Sequence, residues 1–190
     1  MRTLKYFCIA LLAALLVACA RDKEPADAAI KAAGQAIEQI RGEASRYAPD
    51  QLKQLEASLK GAQDSFANKD YTAALAAASA LGAKAQEVAK AAADKKAELT
   101  KSWEDVSAGI PQVMEAVKSR LDELAKAKKL PAGLDKDKLA ALGSGYDETM
   151  KQFQAANDAA GAGDFTKAIE AGNAIKQKGM EMAATLGLKQ

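Results

Sequence analysis

Beyond residue 27 the apolar side chains of this chain recur at intervals of three and four, the spacing of one face of an α-helix. Ile30, Ile37 and Ile40 form one stripe, Leu52, Leu55, Leu59 and Phe66 a second, and Tyr71, Leu75, Leu81 and Val88 a third. Each stripe predicts an amphipathic helix. Pro49, between Tyr47 and Asp50, marks the first break, and Asn68-Lys69-Asp70 marks the second, with Asp70 as N-cap. The third helix meets no strong breaker before Gly109 and Pro111 and is expected from about Tyr71 to Ser107, through Leu99, Trp103 and Val106. At 1.5 Å per residue it would span roughly 55 Å, long enough to bridge two units. Val113, Val117, Leu121 and Leu124 predict a fourth helix, ended near Leu130 by Pro131 and Gly133, and a fifth and sixth follow.

The later helices repeat the earlier ones. Placing residue n against n + 94 from Leu59 to Ala89 gives ten identities in 31 positions, among them Ala62, Asp64, Asp70, Thr72, Ala74, Lys84 and Glu87. The pairs Leu59/Phe153, Tyr71/Phe165, Leu75/Ile169 and Leu81/Ile175 keep the apolar face. In this register Asp50 aligns with Ser144, so Ser144 is expected to cap the fifth helix with Asp147 three residues on, as in a capping box. Gly143-Ser144-Gly145 then reads as a helix boundary. It lacks the preceding strand and the glycine spacing of a phosphate loop.

Each copy centres on a helix, a tight turn and a second helix opening with Asp-aromatic-Thr: Asp70-Tyr71-Thr72 and Asp164-Phe165-Thr166. Here the chain resembles tetratricopeptide-like helical hairpins. The resemblance implies that Tyr71 and Phe165 pack under their turns and that Ala74 and Ala168 permit close helix contact. The interval of 94 residues, in place of the 34 of those arrays, favours two helical bundles that each carry a related hairpin.

The first 18 residues carry a different pattern. Arg2 and Lys5 form a positive start, Tyr6 to Val17 is an unbroken run of apolar and small residues, and Arg21 and Asp22 follow. This is a signal-peptide pattern, too short for the roughly 20 residues of a transmembrane helix. Ala18-Cys19-Ala20 satisfies the A-x-A site of an ordinary secretory leader, whose cleavage would discard the cysteine. The run Leu16-Val17-Ala18-Cys19 also resembles the lipobox of bacterial lipoproteins at all four diagnostic positions. That resemblance implies recognition of Leu16, Val17 and Ala18 by the lipoprotein signal peptidase, acylation of Cys19 and its exposure as the new N-terminus. Two acyl chains suffice for stable attachment, at about 0.8 kcal/mol per buried methylene. With Ala20 and not aspartate after the cysteine, the resemblance further implies the outer membrane, facing the periplasm.

The expected organisation is therefore a signal peptide over 1–18, a lipid-anchored tether over 19–27, one helical unit over 28–107 and a second over 108–190. The segment Ala20 to Asp27 is short and charged, and Pro25 disfavours helix at Glu24, so it reads as a tether. The fold class is all-α, with about six helices in two related hairpin bundles joined by a long helix. Of 190 residues, 49% are hydrophobic but only 5% aromatic, so the apolar content is largely alanine, which favours helices in close approach.

Charge and residue types narrow the chemistry. The chain has 27 basic and 25 acidic residues, and loss of Arg2 and Lys5 with the leader leaves the two signs equal. A neutral, mixed surface carries no footprint for nucleic acid. Cys8 lies in the leader and Cys19 at the cut, which leaves the body without thiolates, and histidine is absent. The usual general base, zinc ligand and Ser-His or Cys-His nucleophile are thereby removed, and the chain reads as a non-enzyme with no cofactor and no metal. Lys126, Lys128 and Lys129 form the densest basic run and read as a solvated helix end that meets the helix dipole. Asp135 and Asp137 fall short of the six or more oxygens a calcium ion requires. Trp103, Met150, Met180 and Met182, with Phe153, read as core.

The functional expectation is a lipid-anchored interaction or scaffolding module that attaches to a membrane through its N-terminal lipid and meets an envelope protein. The alternative is a periplasmic carrier that binds an apolar ligand or lipid between its helices.

Overall fold

A computed structural model describes residues 22–188. Among them the chain forms six helices and no strand: α1 (Lys23–Tyr47), α2 (Pro49–Ala67), α3 (Tyr71–Ala108), α4 (Ile110–Lys126), α5 (Lys136–Gly161) and α6 (Phe165–Thr185). The fold is all-α, and the breaks at Pro49, at Asn68 to Asp70 and at Gly109 fall where the local chemistry puts them.

Three boundaries differ from expectation. The charged segment before Asp27 is not an extended tether to its end, because α1 begins at Lys23. Pro25 sits in its first turn, where the missing N–H has no intrahelical acceptor to lose. Helix α4 stops at Lys126, short of Leu130, since Ala127, Lys128 and Lys129 continue no apolar stripe. The largest difference is α5, which begins at Lys136 and runs through Gly143-Ser144-Gly145. Its cap is Asp135, whose carboxylate accepts from the backbone N–H of Lys138 at 2.7 Å, so Ser144 is not an N-cap. Two glycines cost a helix about 1 kcal/mol each against alanine. Leu139 and Leu142, packed on the core, offset that cost.

The chain divides into two compact units, one ending at Lys95 and the other beginning at Lys96. The division falls inside α3, not at its end over 107–108, because Trp103 belongs to the second core.

The first unit is a three-helix bundle of α1, α2 and the first part of α3. Its core holds Ala33, Ile37, Ala44, Leu52, Leu55, Leu81, Ala85 and Val88. The hydroxyl of Thr72, at the start of α3, donates to Asp22, just before α1, at 2.9 Å, so α1 and α3 begin side by side.

The second unit has the same plan. The end of α3 and α4 are separated by Gly109 alone, with Pro111 in the first turn of α4. Position 172 of α6 faces Trp103 and Val106, position 179 faces Val113 and Met114, and Arg120 Nε donates to the carbonyl of Leu186 at 3.3 Å. These contacts advance together along both elements, so the broken rod runs parallel to α6 and packs directly on it, and α5, antiparallel to α6, packs against both. Ile110, Met114, Val117 and Ile175 are among its most deeply buried side chains.

The two hairpins share their turn bond for bond. In the first, the backbone N–H groups of Asn68, Lys69 and Asp70 donate to the carbonyls of Asp64, Phe66 and Ser65 at 3.0 Å each. In the second, those of Ala162, Gly163 and Asp164 donate to Asp158, Ala160 and Ala159 at 3.0, 2.9 and 2.8 Å. Every partner is displaced by 94. The Asp70 and Asp164 carboxylates cap the following helices at Ala73 and Lys167, at 3.1 and 3.3 Å. Ala74 and Ala168 are both fully buried.

Candidate functional site

Leu16, Val17, Ala18 and Cys19, expected to form a lipobox, lie outside the described residues. Of the other residues weighed as candidates, Trp103 and Met182 are buried in the second core, with Met150 and Phe153 packed against it. The rings of Trp103 and Phe153 lie 6.5 Å apart. Asp135 serves as a helix cap, and no metal-holding cluster of carboxylates or thiols occurs among the described residues. Lys126, Lys128 and Lys129 are exposed where α4 ends. No helix of the described residues is long and apolar enough to cross a membrane.

What the hairpins do form is a pair of equivalent clefts. Between α2 and α3 lies a cleft of about 290 Å³, lined by Gln51, Gln54, Leu55, Ser58, Lys84, Glu87 and Val88. Between α5 and α6 lies one of about 430 Å³, lined by Lys138, Ala141, Leu142, Gly145, Lys178, Glu181, Met182 and Thr185. Moving Gln51, Lys84, Glu87 and Val88 by 94 positions lands on Gly145, Lys178, Glu181 and Met182. The two clefts therefore overlap at these four positions, with lysine and glutamate identical in both copies, while the rest of their linings do not correspond.

Other identities of the repeat have roles in the fold. Ala62 and Ala156 are buried, and Asp70 and Asp164 cap helices. Lys84 and Lys178 have no such role. Glu181 accepts from Gln177 at 3.0 Å, a bond within its own exposed helix face. Each cleft thus offers an ammonium and a carboxylate three residues apart above an apolar floor, Leu55 and Val88 in the first and Leu142 and Met182 in the second. That arrangement can bind a surface of opposite polarity, each exposed charge pair contributing roughly 0.2–1 kcal/mol. The sequence contains the Lys84/Lys178 and Glu87/Glu181 identities, but nothing in it places them across a groove from Gln51 and Leu142.

A further cleft of about 430 Å³ opens between α4 and the start of α5, lined by Leu121, Asp122, Leu124, Ala125, Ala127, Leu130, Lys136, Leu139, Ala140 and Gly143. The two oxygens of Asp122 each accept from Lys118 Nζ at 2.7 Å. That hydrogen bond and the carboxylate charge raise the Lys118 pKa above the ordinary lysine value, against partial desolvation.

No family model, curated protein or solved structure matches this chain. Its own geometry defines the class: an all-α protein of two related three-helix units, each presenting the same kind of cleft.

Proposed function

We propose that this chain is the precursor of a lipid-anchored cell-envelope protein whose two helical units form a non-enzymatic interaction or scaffolding module. The leader and the Leu16-Val17-Ala18-Cys19 run support an acylated Cys19 as membrane anchor, on the outer membrane and facing the periplasm. The observation that carries the interaction reading is the duplicated cleft, with Lys84 and Glu87 on one copy and Lys178 and Glu181 on the other. Two like docking points on one chain favour a partner with a repeated feature, since joining two weak contacts raises avidity by about 10²- to 10⁴-fold when both engage.

Photocrosslinking side chains placed at positions 84 and 178, with position 101 as an exposed control, test this in intact cells. The same envelope protein should be captured from 84 and 178 and not from 101, and capture should fall in a Cys19→Ala form. Absence of any captured protein at both cleft positions overturns the reading.

A further inference from the structure

The second unit contains something the first does not. In the register of the repeat, position 143 of α5 matches Pro49, the first residue of α2, yet α5 starts seven residues earlier at Lys136. This added segment makes the wall of the cleft against α4, and the first buried residue of α5 is Thr149. We propose that this cleft binds a single-chain anionic amphiphile of the long-chain fatty acid class, a site independent of the duplicated clefts and of the interaction reading.

The size selects one chain. At about 30 Å³ for each water-sized group, the 430 Å³ cleft holds on the order of 14 such groups, the scale of one acyl chain. The walls select a hydrocarbon. Apart from Asp122 and Lys136 the lining consists of leucine, alanine and glycine, which offer a peptide backbone no hydrogen-bond partners. Leu121, Leu124, Leu130 and Leu139 supply the apolar surface, worth about 25 cal/mol per Å² covered.

The charge selects an anion. Asp122, the carboxylate in the wall, is already held by Lys118. Lys136 lines the cleft, while Lys126, Lys128 and Lys129 are exposed on the segment whose neighbours Ala125, Ala127 and Leu130 also line it. Four lysines, at 126, 128, 129 and 136, thus stand in or beside this cleft, and Asp135 is engaged as the cap of α5. The head group therefore meets a basic collar as the chain enters. Gly143 in the wall and Gly145 one turn before Thr149 weaken the helix at the base of the added segment.

The test uses the full-length mature protein in phosphatidylcholine nanodiscs, irradiated with a diazirine-bearing hexadecanoate, with adducts mapped by mass spectrometry. Adducts should fall on residues 121–130 and 136–143, and excess hexadecanoate should suppress them more strongly than hexadecanol. Ala140→Phe, an exposed position that fills the cleft without entering the core, should reduce labelling at least tenfold with helicity and melting temperature retained. Lys136→Glu should weaken labelling about fivefold. Labelling spread evenly over the chain, or unchanged by Ala140→Phe, overturns the proposal. So does labelling of the same peptides by a diacyl phosphatidylglycerol probe without labelling by the fatty acid. Since the duplicated clefts are untouched in these variants, crosslinking from positions 84 and 178 reports separately on the interaction reading.

Discussion

Gly172 lies directly against Trp103: a Cβ at position 172 would stand 2.9 Å from the indole Cζ3, and 2.7 Å from Val106 Cγ1. The matching residue of the first hairpin, Ala78, is buried with its methyl accommodated. The two copies differ here because only the second packs its hairpin against an indole, itself 8% exposed. A helix normally gains about 1 kcal/mol from glycine to alanine, but overpacking of a core costs typically 1–3 kcal/mol.

Gly172→Ala is therefore expected to destabilise the second unit by about 1 kcal/mol net. Adding Trp103→Leu should remove the indole's part of the clash, leaving that with Val106, so the double variant should lose less than the two single losses together. Urea unfolding of the three variants measures that coupling. Additive losses would show that the close approach is not the cause.

The shared hairpin turn needs a left-handed residue, and the copies fill it differently. Lys69 has φ of 64° and Gly163 has φ of 80°. A side chain in this region is strained, whereas glycine is not. Lys69→Gly should stabilise the first hairpin by about 0.5–1 kcal/mol, and Gly163→Ala should destabilise the second by at least as much. Opposite shifts in melting temperature check the pair.

Thr149 is fully buried, and its hydroxyl donates to the Gly145 carbonyl one turn back at 2.6 Å. The first hairpin has Leu55 in this place, also buried. Because that carbonyl lies within a continuous helix, the hydroxyl is dispensable. Thr149→Val is expected to change stability by less than about 1 kcal/mol, whereas Thr149→Ala should cost more, by leaving space. Equal losses in thermal unfolding would contradict this.

Lys118 has its pKa raised by the Asp122 hydrogen bond. A lysine whose folded-state value is raised adds stability that is fully present below its ordinary value and lost as pH rises through the higher folded one. Lys118→Met should therefore show a small deficit in melting temperature, constant through neutral and mildly alkaline pH. The deficit should vanish only above about pH 10.5. A deficit that disappears near neutrality would point to a different titrating group.

Local chemistry was legible where a decision needs only neighbours along the chain. Proline at 49, the turn before Asp70 and the glycine and proline near 110 end helices without help from elsewhere. Gly143-Ser144-Gly145 shows where that reasoning stops. Two glycines signal a boundary, yet the Asp135 cap and the packing of Leu139 and Leu142 carry the helix through them. The duplicated clefts were half legible. The Lys84/Lys178 and Glu87/Glu181 identities are visible in a repeat of 94, but their facing residues lie 26 or more positions away on another helix.

By itself, the sequence determined the helices, their apolar faces and the repeat, because periodicity and capping act within a turn or two. The run ending at Cys19, which resembles a lipobox, lies outside the described residues. Only tertiary structure decided where α3 divides between the units, that α5 runs through its glycines, and which residues line the clefts. Those outcomes depend on side chains far apart in sequence, such as Trp103 against Gly172, and no local pattern encodes such a meeting.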